Sequence, residues 1–347
     1  MSEWSAAPPG QAGGWYNRAD RSTPCSECRA GTRLRVGATL EDAPGSKDRT
    51  LDVRIVRETI RRQFPRLAAE KVRLLGEGWD FEAFEIDESL IFRFPKRREY
   101  DAHLLKEIAL LDVIGPRLPI PVPRYKYLGR PSASFPYHFG GYTRLQGVPA
   151  LGIPTSSPVL ASEAVRLGEF LARLHALDPK DAARIAIHVS GEDDAPAGQR
   201  KGALSDLGHL KGKMDARLHE LCWRFFEEEV HTPTPYQGPA RLLHNDLLSE
   251  HILVVPDSGR VTGIIDWSDA TAGDPAYDFA GLWVWQGDEF VALAVDAYGQ
   301  PVDAGFLQRV RYDGLVVAIG NLHYGHLEGK RVYIEDGLAC LCRFFKQ

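Results

Sequence analysis

Two short segments of the sequence carry carboxylate and imidazole side chains at a spacing suited to phosphoryl transfer. In LHNDLLSEHI (Leu243–Ile252), Asp246 is followed five positions later by His251. In GIIDW (Gly263–Trp267), Asp266 follows an apolar run. Phosphoryl transfer needs one carboxylate to orient the attacking hydroxyl or accept its proton, and ligands that hold Mg²⁺ against the nucleotide phosphates. The pattern H-N-D-x-x-x-x-H followed by an aspartate therefore predicts a kinase-type catalytic loop.

Each of these residues has an expected role. Asp246 is the expected catalytic carboxylate, and Asp266 the principal Mg²⁺ ligand. His251 stands where a kinase catalytic loop usually carries asparagine. Because Mg²⁺ prefers oxygen, the imidazole either coordinates through a neutral nitrogen or only shapes the loop, and we favour coordination. His244 is expected to organise the loop backbone rather than to transfer protons.

The segment GDPAYDF (Gly273–Phe279) supplies two further carboxylates. Asp274 precedes a proline, which predicts a helix N-cap with proline at the first helical position. Asp278 could hold the catalytic loop through backbone hydrogen bonds. We expect both to be structural supports. Asp269, a few residues earlier, could face either substrate or solvent.

The first half of the chain offers candidates for nucleotide binding. Gly76 and Gly78 in GEGWDFEAF fit a flap over the phosphates, although an ordinary hairpin would look the same. Arg93 on a predicted third strand is placed to contact the phosphates, with Glu107 of the next helix as its partner. Lys96 is the substitute if Arg93 points outward. The linker expected to contact the purine base contains Tyr142, Thr143 and Arg144.

The apolar spacing predicts an α+β fold. A helix from Val53 to Phe64 precedes strands, and Tyr100–Ile114 has the spacing of a second helix. Val165–Leu177 and most of the later chain are also expected to be helical. The three early strands are predicted at Lys71–Leu75, Phe81–Ile86 and Leu90–Phe94. This order predicts a bilobal, protein-kinase-like fold, with a small β-sheet N-lobe, a larger helical C-lobe and nucleotide between them.

The expected domains are a disordered extension over residues 1–50, an N-lobe over 51–143 and a helical C-lobe over 144–347. The net charge of −5 argues against nucleic acid as a partner. It is compatible with a cationic small-molecule substrate, although surface solubility explains it equally well. Residues 180–238 are polar and have no assigned elements beyond a charged helix near Asp215–Val230.

The chain has no apolar run of about 18 residues that would span a membrane, and its N-terminus lacks a secretory signal. Five cysteines, an odd count, suit a reducing compartment, so we expect a cytoplasmic protein. Cys25 and Cys28 form a lone CxxC, which is too few ligands for a structural zinc site. The oligomeric state cannot be predicted.

From about Val72 to the C-terminus, the sequence resembles the aminoglycoside phosphotransferases and their wider group of antibiotic and metabolite kinases. The resemblance implies that Asp246 is the catalytic aspartate and that His251 and Asp266 bind Mg²⁺. The HND triplet, with His251 five positions after Asp246, resembles the branch that modifies the 2″-hydroxyl of aminoglycosides, and some macrolide kinases. It is less like the branch that has HGD and asparagine at these positions. The segments that carry it are GEGWDFEAFEI, LIFRFPK, KEIALL, PVPRYKYLG, GGYTRLQGVPA, LARLHAL, LLHNDLLSEHIL and TGIIDWSDATAGDPAYDFAGL.

The resemblance implies transfer of the γ-phosphoryl group of ATP or GTP, with Mg²⁺, to a hydroxyl of an aminoglycoside-like antibiotic. Such a polycation would need acidic partners, and Trp283, Trp285 and Tyr324 could instead line an apolar pocket for a macrolide. A metabolic small-alcohol kinase of the same fold and a catalytically weak nucleotide-binding protein are further alternatives. The main acidic candidates for substrate binding are Asp269, Asp288 and Glu289, and the further candidates are Glu328, Glu335 and Asp336.

Overall fold

The computed structural model describes residues 47–153, 157–178 and 195–345. The predicted extension over residues 1–50 therefore lies almost wholly outside the described residues, as do Cys25 and Cys28. Within the described residues the chain forms two compact units. The first comprises residues 47–102 and 126–144, and the second comprises residues 103–125 and those from 145 onward.

The first unit is a sheet with one helix packed on it. Helix α1 (Val53–Gln63) begins after Asp52, whose carboxylate accepts hydrogen bonds from the first-turn amides. The sheet has the order β1-β2-β3-β5-β4. Apolar side chains of α1 and alternate residues of the strands share one buried core. The strands are β1 (Val72–Glu77), β2 (Phe81–Ile86), β3 (Leu90–Pro95), β4 (Tyr125–Gly129) and β5 (Phe139–Thr143).

The second unit is mostly helical and surrounds two small sheets, β10-β7 and β6-β8-β9. Short 3-10 helices lie at Gly115–Arg117 and Glu229–His231. The strands are β6 (Val148–Pro149), β7 (Arg241–Leu243), β8 (Ile252–Val254), β9 (Val261–Ile264) and β10 (Thr271–Gly273). The helices, with α2 shared between the units, are α2 (Glu99–Ile114), α3 (Ser157–His175), α4 (Pro196–Leu210), α5 (Ala216–Glu227), α6 (Ala276–Gln286), α7 (Asp288–Tyr298), α8 (Phe306–Glu328) and α9 (Arg331–Phe345).

The boundary between the units differs from the sequence-based domain limits over residues 103–125. Leu110, Leu111 and Ile114 of α2 are buried in the core of the second unit, together with Ile120 and Val122. Burial of these apolar side chains explains why most of α2 groups with the helical unit rather than with the sheet that precedes it.

The α+β class, with a small sheet-containing unit and a larger helical unit, is confirmed. The helix α1 and the strands β2 and β3 lie within one residue of their predicted limits, and α2 begins one residue before Tyr100. α3 begins at Ser157 rather than Val165, and α4 was not predicted at all. No helix among the described residues is long and apolar enough to cross a membrane.

Helix α6 packs very closely on the segment that carries the predicted catalytic residues. A Cβ atom added at Gly281 would lie 2.1 Å from the carbonyl oxygen of Leu247. That distance is far below van der Waals contact, and the obstacle is backbone rather than a flexible side chain. Only glycine therefore lets α6 approach the segment so closely.

We expect Gly281→Ala to lower the free energy of unfolding by about 1–3 kcal/mol, because the helix and the loop must move apart. Gly320→Ala in α8 is the matched control, since nothing lies within 4 Å of a Cβ there. That control should be neutral or stabilising by up to about 1 kcal/mol, because alanine favours the helix. Urea denaturation measures both, and equal stability of the two variants would contradict the packing argument.

Candidate active site

Two loops of the second unit lie side by side because paired strands hold their ends. The catalytic loop (residues 244–251) connects β7 to β8, and the acidic loop (residues 265–270) connects β9 to β10. β7 pairs with β10, and β8 pairs with β9, both antiparallel. The amide of Ile265 also donates to the carbonyl of His251 at 2.9 Å. The strand pairing thus fixes the catalytic loop against the acidic loop.

His244 ties the two loops together from inside. Its Nδ1 accepts from the amide of Asp246 at 3.2 Å, so its Nε2–H donates to the carbonyl of Ile265 at 3.0 Å. The side chain is fully buried, and this burial lowers the pKa of His244 despite nearby carboxylates. Its ring centroid lies 4.5 Å from that of Trp267. Through these two hydrogen bonds His244 links backbone groups of both loops, and its role in catalysis stays a prediction.

Asp278 on α6 holds the start of the catalytic loop. Its carboxylate is fully buried and accepts from the amides of His244 and Asn245 at 2.9 and 2.8 Å. The Nε2–H of His175 donates to the same carboxylate at 3.0 Å, and its Nδ1 lies 3.0 Å from the hydroxyl of Tyr298. Sequence reasoning missed His175 and Tyr298. Each is the last residue of a helix, and the apolar faces of those helices indicated only core packing.

Two residues of the loops adopt a left-handed backbone conformation. Asn245 has φ of 67° and Asp266 has φ of 64°. This conformation is uncommon for residues other than glycine, although asparagine and aspartate tolerate it best. Such positions persist where the surrounding structure holds them, and they concentrate at functional sites. Here the paired strands on both sides of each loop supply that restraint.

The catalytic loop and the acidic loop bring several carboxylates to one imidazole. His251 Nδ1–H donates to the backbone carbonyl of Asp246 at 2.8 Å and lies 3.4 Å from its carboxylate. Nε2 of His251 lies 3.8 Å from carboxylate oxygens of both Asp266 and Glu250. Burial alone would lower the pKa of His251, but the three negative charges outweigh it and raise that pKa to about 9. Sequence reasoning missed Glu250, which lies within the motif.

The donor set of this site fits a hard divalent cation. Carboxylate oxygens of Asp246, Asp266 and Glu250 lie around the His251 imidazole. Oxygen is the donor that Mg²⁺ prefers. His251 uses Nδ1 for a backbone hydrogen bond, which leaves Nε2 as the nitrogen that could ligate once a cation displaces the proton that the neighbouring carboxylates favour there. The hydroxyl of Ser268 donates to Asp266 at 3.1 Å and orients that carboxylate.

Asp274 lies beside the site and supports α6 in a slightly different way from the one predicted. The helix begins at Ala276, with Pro275 in the cap position rather than at the first helical position. The Asp274 carboxylate nevertheless accepts from the amide of Ala276 at 3.0 Å and is paired with Arg309. Because Pro275 already has helical backbone angles, its conformation agrees with the predicted position even though the regular helix begins one residue later.

The three tentative substrate carboxylates lie in different places. Asp269 belongs to the acidic loop, whereas Asp288 and Glu289 lie in the first turn of α7. The Asp288 carboxylate accepts from the indole of Trp283 at 3.0 Å and from Arg311 at 2.8 Å. Its charge is thus engaged within the fold, and of the three only Asp269 belongs to one of the two loops that carry the predicted catalytic residues.

The first unit holds the two cations proposed for phosphate binding in different surroundings. Lys96 is buried, and its Nζ lies 3.2 Å from the carbonyl of Gly78 and 3.0 Å from the carboxylate of Glu77. It therefore fastens the turn between β1 and β2. Arg93 lies on β3, and its guanidinium carbon sits 4.2 Å from the ring centroid of Phe81. The predicted partnership of Arg93 with Glu107 stays a prediction.

The other predicted nucleotide-binding residues lie at the ends of strands. Gly76 lies at an irregularity of the β1–β2 pairing, and the amide of Gly78 donates to the carbonyl of Phe81 at 2.9 Å. Arg144 follows β5, where its amide donates to Ser89 at 2.8 Å and its guanidinium pairs with Glu85 at 3.0 Å. These bonds engage Arg144 within the first unit.

Tyr142 and Thr143 end strand β5. Tyr142 is buried, and the Thr143 hydroxyl accepts from Lys126 at 3.2 Å. Glu107 belongs to the second unit, where it is fully buried and accepts from the hydroxyl of Tyr125 at 3.0 Å. Contacts of all these residues with nucleotide stay predictions.

Known proteins are similar to this chain in sequence and in fold. An uncharacterized Bacillus subtilis protein, YcbJ, is 26% identical over 246 residues, which cover 67% of this chain and 76% of that protein. The structure of the GDP complex of an aminoglycoside 2'-phosphotransferase-IIIa is 26% identical, with a TM-score of 0.66, and the match covers 84% of this chain and 97% of that one.

A macrolide 2'-phosphotransferase from Brachybacterium faecium, MphH, shares the fold, with a TM-score of 0.56 and 24% identity over 82% of this chain and 97% of that one. These neighbours confirm the protein-kinase-like fold and the resemblance read from the sequence. The phosphotransferase enzyme family, APH, matches residues 71–309, which is more than half of the chain. The expected enzyme class, a phosphotransferase with an alcohol group as acceptor, is thereby confirmed. The chain belongs to the phosphotransferase enzyme family.

Proposed function

We propose that this phosphotransferase transfers the γ-phosphoryl group of ATP or GTP to a hydroxyl of an aminoglycoside-like, cationic antibiotic. The observation that carries the proposal is the grouping of Asp246, His251 and Asp266 by the paired strands around the catalytic and acidic loops. A carboxylate for the acceptor hydroxyl and donors for a divalent cation are the parts that phosphoryl transfer requires.

Asp246 is the residue that would meet the acceptor hydroxyl. Its carboxylate orients the hydroxyl and takes its proton as the oxygen attacks phosphorus, and positioning contributes more than basicity. His244 and Asp278 hold the backbone on either side of Asn245, so the carboxylate is positioned before substrate arrives. Mg²⁺, when held by Asp266 and His251, would neutralise charge on the nucleotide phosphates.

Support for a nucleoside triphosphate comes from the similar aminoglycoside 2'-phosphotransferase-IIIa, whose structure is a GDP complex. In the first unit, Arg93 is the cation proposed to contact the phosphates. Its side chain lies on the face of β3 opposite Phe92 and Phe94, which point into the core shared with α1. Guanidinium offers a permanent charge and a fork of donors that suits phosphate oxygens.

Acidic groups beside the catalytic loop favour a cationic acceptor. Glu250 lies next to His251 and accepts a hydrogen bond from the hydroxyl of Tyr333 on α9. Asp336, one turn further along α9, has a pKa raised to about 6 by burial and by the charge of Glu250. An amino group of a substrate would relieve this repulsion, because an adjacent positive charge favours the ionised carboxylates.

The apolar pocket considered for a macrolide finds less support. Trp283 is buried in the core and its indole donates to Asp288, so it does not line an open pocket. Trp285 packs on Phe290, with ring centroids 5.6 Å apart. Both tryptophans therefore pack α6 against its neighbours.

We expect Asp246→Ala to lower kcat by about 10²–10⁴-fold, because the acceptor hydroxyl loses its orienting carboxylate. Nucleotide affinity should change little. Steady-state kinetics with a responsive acceptor and a nucleotide-binding titration measure the two effects separately. Asp257→Ala, in the exposed turn between β8 and β9, is the matched control and should behave as the wild type. Near-normal turnover by the Asp246 variant would remove this residue from its proposed role.

The two cations of the first unit can be separated by paired variants. Arg93→Ala should weaken nucleotide binding about tenfold or more, because a hydrogen bond to a charged group contributes about 1.5–3 kcal/mol. Lys96→Ala should chiefly lower the free energy of unfolding, since Glu77 and the Gly78 carbonyl lose their partner. Calorimetric nucleotide titration and urea denaturation distinguish these outcomes. A larger loss of nucleotide affinity in the Lys96 variant would assign the phosphate contact to Lys96.

A further inference from the structure

Two helices of the second unit bring two histidines and one aspartate together, and none of the three belongs to the catalytic or acidic loop. Asp206 and His209 are three residues apart on α4 and therefore lie on one face of that helix. His323 lies opposite them on α8. One donor atom from each of the three side chains lies within 4.8 Å of the other two.

The hydrogen bonds of these side chains leave them in a form that can ligate. His209 Nδ1–H donates to the carbonyl of Ser205 at 2.9 Å, so in the neutral ring Nε2 is the nitrogen with a lone pair available for a metal ion. Nδ1 of His323 and a carboxylate oxygen of Asp206 share one proton at 2.9 Å. Ligating histidines commonly fix their orientation by donating the other N–H to a backbone carbonyl, as His209 does.

We propose that Asp206, His209 and His323 form a binding site for a divalent transition-metal ion such as Zn²⁺ or Ni²⁺. Two imidazoles and one carboxylate are donors that suit these ions, whereas Mg²⁺ requires mostly oxygen. On binding, the ion replaces the proton shared by Asp206 and His323, and that proton passes to solvent. Three protein ligands leave a further coordination position for water.

The three donor atoms can reach one ion after the exposed His209 side chain reorients. Bond lengths of about 2.0–2.2 Å in a tetrahedral site place the donors roughly 3.3 Å apart. The Asp206–His323 pair, at 2.9 Å, already lies near that value. The remaining movement falls on His209, which is exposed: its ring is stacked on that of His323, with centroids 5.0 Å apart and an interplanar angle of 8°, and must rotate so that a ring nitrogen points at the ion.

The bound ion would link α4 to α8 and so stabilise the second unit. An ion that binds only the folded chain raises its stability by mass action, in proportion to the logarithm of its concentration over its dissociation constant. The proposal is independent of the phosphotransferase reaction, because none of the three ligands belongs to the catalytic or acidic loop.

Isothermal titration of the full-length protein with Zn²⁺, in buffer containing excess Mg²⁺, tests the site. The variants are His209→Ala, which changes an exposed side chain, and His323→Gln, whose amide can still donate to Asp206. His231→Ala is the matched control, because His231 also faces a carboxylate, Glu228 at 3.2 Å, but forms no such group of three with any residue that the structure describes. Zinc bound elsewhere, for example by Cys25 and Cys28, is common to all four proteins and cancels in the comparison.

The wild type and the His231 variant should bind one more zinc ion per chain than the His209 and His323 variants, or bind it at least tenfold more tightly. Zinc should also raise the Tm of the first two proteins further than that of the other two. Identical isotherms and identical zinc-induced shifts in Tm across the four proteins would overturn the proposal.

Discussion

The geometry of the active site depends on one buried carboxylate, that of Asp278. An ionised group in the protein interior is costly unless hydrogen bonds satisfy it, and here the amides of His244 and Asn245 and the imidazole of His175 do so. Because these donors come from different elements, satisfying the charge also fixes the start of the catalytic loop on α6. The glycine at position 281 then allows the helix to lie directly against the next part of that loop.

A second constraint follows from the strand pairs on either side of the loops. The strand pairs β7–β10 and β8–β9 hold the ends of the catalytic and acidic loops in place. This restraint maintains the left-handed conformations of Asn245 and Asp266. The same arrangement concentrates negative charge around His251, which raises its pKa to about 9 against the effect of burial. A site built in this way attracts cations, which suits both a divalent metal ion and a cationic acceptor.

Local sequence patterns predicted much of this arrangement, and the failures have physical causes. The periodicity of α1, β2 and β3 is strong and local, so their limits were predictable. Helix α4 was missed because Gly202 and Gly208 weaken its helical pattern, although Ala203, Leu207 and Leu210 are buried at helical spacing. Asp246 and Asp266 stand in a recognisable motif. In contrast, the environment of Glu250 depends on Tyr333, which no local pattern connects to it.

The proposed reaction is Mg²⁺-dependent transfer of the γ-phosphoryl group of ATP or GTP to a hydroxyl of a cationic acceptor. The most direct measurement incubates the protein with ATP or GTP, with and without Mg²⁺, against a panel of aminoglycosides, macrolides and small metabolic alcohols. Mass spectrometry then detects any phosphorylated acceptor. We expect Mg²⁺-dependent phosphorylation of an aminoglycoside, in preference to the neutral alcohols and macrolides. Phosphorylation confined to a small uncharged alcohol or a macrolide would contradict it.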